Sequence, residues 1–191
     1  MGHHSGSVSL HRRLELVTTP LTPAWDRNRK AEDATKEPYT GSGADEPVIW
    51  FKQTIGHACG PIGLLHSAIN GPAVSFIKQG FDLLAIRNAT IPLGMDKRAE
   101  MLLSNEPFER AHKFIELDGG RHYTRFVKSH GKLWELEGTG KGPLERGILA
   151  DDKDVLSPRA LEMGLRRIIE LNAYGGGESL LLRCIALARR S

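Results

Sequence analysis

Cys59 is the residue of this chain whose type and position point most directly to chemistry. Gly60-Pro61 follows it and opens a stripe of apolar residues with helical spacing, which predicts a helix beginning at the thiol. A helix N-terminus offers partial positive charge and free N–H groups, so it can lower the pKa of a thiol and hold an oxyanion. Gln53, six residues earlier, could add a second oxyanion donor. A cysteine that is merely buried is an equally weighted alternative from position alone.

A thiol nucleophile needs a base, and the chain has eight histidines. His122 begins a predicted strand directly after Gly119-Gly120, where its side chain can be aimed into a cleft. His57 is close to the thiol in sequence and stays an alternative base. His66 falls two turns into the predicted helix, which favours a packed core histidine. The others lie in the N-terminal head, on a charged helix or at a turn: His3, His4, His11, His112 and His130.

A carboxylate could orient the imidazole of His122. If His130-Gly131 form a two-residue hairpin turn, the flanking strands pair so that Thr124 faces Glu137. Glu137 is then the diagonal neighbour of His122 on one face, roughly 7–8 Å away at the backbone. A carboxylate there would fix the tautomer of the imidazole. A solvated glutamate at a strand end is the alternative, and it is ordinarily the more frequent one.

Helical spacing dominates the first part of the chain and strand patterns the second, which predicts an α+β fold. Residues 1–45 are rich in proline and charge, so we expect a poorly ordered or divergent segment apart from a short strand at 14–17. Residues 46–191 are expected to form the catalytic domain. A helix capped by Ser157-Pro158 should turn four apolar side chains inward, and a last apolar strand at 180–187 should bury Cys184. The four side chains are Leu161, Leu165, Ile168 and Ile169.

Composition describes an ordinary one-domain globular chain of 191 residues with a net charge of +3. The basic residues are scattered, and no apolar run approaches the roughly 20 residues of a membrane span. We therefore expect neither a nucleic-acid nor a membrane partner. The N-terminus lacks the apolar segment of a secretory signal, so we expect reduced cysteines in the cytoplasm or nucleus.

The segment from Trp50 to His66, WFKQTIGHACGPIGLLH, resembles the active-site segment of the ubiquitin C-terminal hydrolases, peptidase family C12. The segment KLWELEG, residues 132–138, resembles a second motif of that family. His122 precedes Glu137 by fifteen residues, and the family spaces its base and its acidic residue in the same way. The resemblance covers roughly residues 46–189.

The resemblance implies a papain-like cysteine protease core, with a central antiparallel sheet flanked by helices. It implies a deubiquitinating thiol hydrolase that acts at the C-terminal glycine of ubiquitin, or of another ubiquitin-like protein, on small or flexible leaving groups. It also implies a monomer without metal or cofactor. The implied roles are nucleophile for Cys59, general base and acid for His122, orienting carboxylate for Glu137, and oxyanion donor for Gln53.

The sequence departs from the family pattern in three places. Glu137 stands where the family has aspartate. Residues 1–45 poorly represent the family's N-terminal strand and helix, and only residues 116–121 are left for its crossover loop. The second interpretation is therefore a catalytically weakened ubiquitin-binding relative that lacks these parts.

Overall fold

The computed structural model describes residues 12–20, 22–115, 121–173 and 183–188. Its centre is one antiparallel sheet of five strands, whose order across the sheet is fourth, third, second, first, fifth. The strands are β1 (Arg12–Pro20), β2 (Arg121–Ser129), β3 (Lys132–Leu136), β4 (Leu144–Ile148) and β5 (Arg183–Ala188).

Helices fill the chain between β1 and β2 and return after β4. They are α1 (Pro23–Ala34), α2 (Cys59–Ala68), α3 (Asp82–Thr90), α4 (Met95–Leu103), α5 (Glu106–Ile115), α6 (Pro158–Leu161) and α7 (Arg167–Ala173). A 3-10 turn spans Gly71–Phe76, and a π turn, Glu162–Arg166, joins α6 to α7. Among the described residues, no helix is both long and apolar enough to cross a membrane. The predicted α+β class is confirmed.

The N-terminal segment, predicted to be poorly ordered or divergent, contains two regular elements, β1 and α1. β1 lies between β2 and β5, and it contains the short strand predicted at residues 14–17. α1 begins where the Thr22 hydroxyl accepts a hydrogen bond from the N–H of Trp25 (3.2 Å), with Pro23 in the first turn. The buried residues of α1 are Trp25 and Arg29, so the helix lacks the apolar stripe that sequence analysis searches for.

The β2–β3 hairpin has the predicted register. Ser129 pairs with Lys132 and Arg125 with Leu136. The two residues of the turn, His130 and Gly131, have φ angles of 51° and 68°. Positive φ at both positions is the geometry of a type I′ turn, whose twist matches that of the strands it joins.

Successive residues of β2 pack on opposite faces of the sheet, as strand geometry requires. Phe126 belongs to a core cluster with Leu133 and with Ile168 of α7. Val127 belongs to a second cluster with Trp50 and Leu136. A third cluster, formed chiefly by α2 with α3, α4 and α5, contains Ile62, Leu65, Ile86, Leu102 and Phe108. α2 thus packs between the sheet and the helical layer.

The C-terminal helix differs from its prediction at Ile169, whose surface is 40% exposed. Ile168 is buried as predicted, and Leu165 is partly buried against the same core. Residues that are buried recur every four positions through the π turn: Ala160, Gly164, Ile168 and Asn172. A π turn has one more residue per hydrogen-bonded ring than an α-helix. The buried positions are therefore spaced by four residues, and Ile169 does not fall on one of them.

Candidate active site

Cys59 is the first residue of α2 and is half-buried. Burial raises the pKa of its thiol above the ordinary value, and the charge of Glu137 acts in the same direction. The hydrogen bond from the N–H of Gly60 and the charge of Arg125 oppose this effect without reversing it. The helix start was a reason to expect a lowered thiol pKa. The net shift is upward, so that expectation is wrong.

Two buried side chains of the Cys59 segment fasten it to the extended chain before it. The Nε2 atom of His66 accepts a hydrogen bond from the N–H of Phe51 (2.8 Å), and the side chain of Asn70 bonds both the N–H and the carbonyl of Ile49. Burial lowers the pKa of His66 to about 3, so the imidazole is a neutral acceptor. The prediction that His66 is a packed core histidine is confirmed.

Gln53 lies in the loop between this extended segment and α2. Its N–H donates to the carbonyl of Gly138 (2.8 Å), which brings it beside Glu137. A Cβ atom added at Gly138 would lie 3.0 Å from the Cβ of Gln53, so the two segments touch. The Oε1 atom of Gln53 is buried and has no hydrogen-bond partner in the described part of the chain.

Glu137 is buried, so the alternative of a solvated strand end is wrong. Its Oε1 accepts from the N–H of Thr139 (2.7 Å), while its Oε2 accepts from the Thr139 hydroxyl (2.9 Å) and from the N–H of Gly140 (3.1 Å). The Nε of Arg29 lies 3.5 Å from Oε2. The carboxylate is thus held by the turn that follows it and by α1.

The backbone of His122 lies in β2 and pairs with Thr19 of β1, whereas its side chain lies outside what the structure describes. The observed pairs of the hairpin end at Arg125 and Leu136, one position short of Thr124 and Glu137, so the predicted pairing of these two residues stays a prediction. His57, the alternative base, is exposed and has a φ of 58°.

Residues 116–120, most of the predicted crossover loop, also lie outside the described residues, as do 174–182 and 189–191.

Cys184 is exposed, so the expectation of burial is wrong. Its strand, β5, lies at the edge of the sheet and pairs only with β1 among the described strands. An apolar sequence on an edge strand does not ensure that each side chain is covered, because a neighbour is lacking on one side.

Arg125 is a charged residue of this region that sequence analysis missed. It is fully buried, and its Nη2 donates to the carbonyls of Cys59 (3.2 Å) and Gly60 (3.1 Å). Burial lowers its pKa to about 9. One signal in the sequence was available. Arg125 is two residues before the apolar Val127 on the predicted strand, so the two side chains share a face of the sheet.

No group of three or more His, Cys, Asp or Glu side chains among the residues described here is arranged to hold a metal ion.

The fold matches solved structures of UCH37. The crystal structure of the Trichinella spiralis UCH37 catalytic domain bound to ubiquitin vinyl methyl ester superposes with a TM-score of 0.66 at 19% identity, and the match covers 97% of this chain and 79% of that one. This similarity confirms the predicted papain-like architecture.

The sequence places the chain in a family. The profile of ubiquitin carboxyl-terminal hydrolase, family 1, matches residues 16–170, and the chain belongs to this family. Ubiquitin carboxyl-terminal hydrolase isozyme L1 of Sus scrofa is 29% identical over 155 residues, 77% of this chain and 68% of that protein. A probable ubiquitin carboxyl-terminal hydrolase of Dictyostelium discoideum is 30% identical over 160 residues, 74% of this chain and 62% of that protein. The match begins within β1, so it includes the N-terminal elements that the sequence comparison above left out.

Proposed function

We propose that this protein is a cysteine-type ubiquitinyl hydrolase that removes small or flexible groups from the C-terminal glycine of ubiquitin. The observation that carries the proposal is the position of Cys59 at the first residue of α2, within a chain that belongs to the ubiquitin carboxyl-terminal hydrolases. The structural relative described above was crystallised with ubiquitin vinyl methyl ester, which supports ubiquitin as the partner.

In this mechanism His122 accepts the proton of the Cys59 thiol, and the sulfur attacks the carbonyl carbon of the terminal glycine. The N–H groups at the start of α2 and the amide of Gln53 stabilise the resulting oxyanion. As the bond to the leaving group breaks, His122 returns the proton to it and a thioester remains on Cys59. Water, deprotonated by His122, then attacks the thioester and releases the ubiquitin carboxylate and the thiol. Glu137 would orient the imidazole.

The alternative function is a ubiquitin-binding relative with weakened catalysis, and two observations favour it. The carboxylate of Glu137 already accepts three hydrogen bonds from Thr139 and Gly140, which leaves it less capacity for an imidazole. Only five residues, 116–120, connect α5 to β2, in the position of the family's crossover loop. A protein of this kind would bind ubiquitin and hydrolyse its C-terminal adducts slowly or not at all.

The hydrolysis of a fluorogenic C-terminal amide of ubiquitin tests the proposal. The parent should turn over the substrate, and His122→Ala should lower kcat/KM by at least about 10²-fold, because it removes the general base. His57→Ala is the matched control, and it should stay within a few-fold of the parent. Turnover by His122→Ala together with an inactive His57→Ala would show that the base is misassigned. Ubiquitin binding by a parent without turnover would favour the alternative function.

A further inference from the structure

A buried cation lies beneath the first turn of the Cys59 helix. The side chain of Arg125 extends from β2 to α2, and one guanidinium nitrogen, Nη2, contacts two successive carbonyls of that turn, those of Cys59 and Gly60. These bonds join the sheet to the helix at the thiol. They also fix a positive charge directly behind it.

The absence of a side chain at Gly63 makes room for this arrangement. A Cβ atom at that position would lie 1.5 Å from the Cζ of Arg125, which is far inside van der Waals contact. Glycine in the middle of a helix is less favourable than alanine, because it loses more backbone freedom on folding. The helix is therefore less stable at Gly63 than it would be with alanine, at the position that makes room for the guanidinium.

The charge of Arg125 is poorly compensated within the described residues. Its Nε and Nη1 atoms are buried and donate no hydrogen bond there, while its Cζ lies 5.0 Å from the centre of the Tyr123 ring. A buried charge is costly unless an opposite charge or hydrogen bonds satisfy it. The ionisable groups that act on the guanidinium are Cys59, Tyr123 and Glu137, and the nearby His66 is neutral. A thiolate at Cys59 would supply a negative charge next to this site.

We propose that Arg125 is a positioning residue for the nucleophile, which holds the first turn of α2 in place and stabilises the thiolate of Cys59 by its buried charge. The proposal rests on the proposed role of Cys59. Because the pKa of Arg125 is about 9, the guanidinium is charged at neutral pH, when the thiolate must form. The carbonyl contacts place it where loss of the charge should affect the thiolate more than the thiol.

The pH dependence of thiol alkylation tests this role directly. In a Cys184→Ser background, which removes the other, exposed thiol, iodoacetamide reports on Cys59 alone. Arg125→Met should move the midpoint of the rate profile upward by about one pH unit, so that alkylation at pH 7 is about tenfold slower. The plateau at high pH, where the thiol is fully ionised, should equal that of the parent. Arg125→Lys, which keeps a charge, should lie closer to the parent.

Two further variants separate charge from folding. Arg125→Gln keeps a polar side chain with a hydrogen-bond donor but carries no charge, so it should show the shift of Arg125→Met even where the latter folds poorly. Lys128→Met removes a charge from the same strand, at an Nζ that donates to the carbonyls of Ala150, Asp151 and Lys153, and it should leave the midpoint unchanged.

An unshifted midpoint in folded Arg125→Met or Arg125→Gln would overturn the proposal, and so would an equal shift in Lys128→Met. The measurement needs no ubiquitin. Absence of turnover by the parent would contradict the proposed hydrolase activity, whereas the alkylation profile would still decide the role of Arg125.

Discussion

The Nε atom of Arg29 lies 3.5 Å from Oε2 of Glu137, and only 5% and 1% of these side chains are exposed. Arg29 also donates to the carbonyl of Gly142 (3.1 Å), and a Cβ atom at Gly140 would lie 2.1 Å from its Nη2. The N-terminal helix thus reaches into the turn that holds the candidate orienting carboxylate. Its presence is a condition for the geometry of the site.

The first prediction concerns the stability that this buried pair supports. Glu137→Ala should lower the free energy of unfolding by roughly 3 kcal/mol, because it leaves buried Arg29 with only the more distant carboxylate of Asp33 (3.9 Å) and removes the acceptor of three hydrogen bonds. Urea denaturation followed by circular dichroism measures the loss.

Glu145→Ala is the matched control for this change. The Glu145 side chain is 42% exposed and forms its ion pair with Lys132 on the surface of the sheet. Its loss should amount to less than about 1 kcal/mol. Equal losses in the two variants would mean that the buried Arg29–Glu137 pair contributes no more to the free energy of unfolding than a surface ion pair.

The second prediction concerns Gln53. Gln53→Ala should lower kcat on a ubiquitin amide about 10²–10³-fold, because it removes one donor to the oxyanion that exists only in the transition state and the intermediate. KM should change little, since the ground-state carbonyl makes weaker use of this donor.

Lys52→Ala, at the exposed preceding position, is the control and should keep the parent kcat. A parent-like kcat in Gln53→Ala would remove Gln53 from the site. A fall in kcat that appears equally in Lys52→Ala would point to the loop rather than to the amide.

The third prediction uses the buried histidine. In the folded protein the pKa of His66 is about 3, so its imidazole stays neutral until the pH approaches that value. In the unfolded chain the imidazole has its ordinary pKa of 6.5 and binds a proton below that pH. Unfolding therefore takes up a proton between these values, and the free energy of unfolding falls as the pH falls. From pH 6.5 to 4.5 this group should account for a loss of roughly 2 kcal/mol.

His66→Gln removes this ionisable group and can still offer an acceptor to the N–H of Phe51. The variant should be less stable than the parent at pH 7 and should lose less of its stability on acidification. Parallel curves of unfolding free energy against pH would contradict the assignment of His66 as a neutral buried group.

Local patterns sufficed for the parts of the fold that local physics determines. The β2–β3 register follows from the two-residue turn at His130-Gly131, where positive φ is required at both positions. The start of α2 follows from Gly60-Pro61, since proline has no N–H to lose in a first helical turn. Cys59 and Glu137 could be singled out for the same reason, because each has a fixed place relative to such a signal.

Other features depend on partners far away in the chain. α1 is held by contacts such as that of the Thr22 hydroxyl with Asn172, 150 residues later, and no apolar periodicity announces it. The role proposed for Arg125 depends on its hydrogen bond to the carbonyl of Cys59, 66 residues earlier. The exposure of Ile169 depends on a π turn that hydrophobic spacing does not predict.

The central claim is tested most directly by a ubiquitin probe that carries an electrophile at its C-terminus, because covalent capture requires both ubiquitin recognition and a nucleophilic thiol. The intact protein should gain the mass of one probe, and peptide mass spectrometry should place the adduct on Cys59. Cys59→Ser should abolish capture, while Cys184→Ser should leave it unchanged, although Cys184 is the more exposed thiol. Capture at Cys184, or an unmodified protein under conditions in which Cys59 reacts with iodoacetamide, would contradict the account.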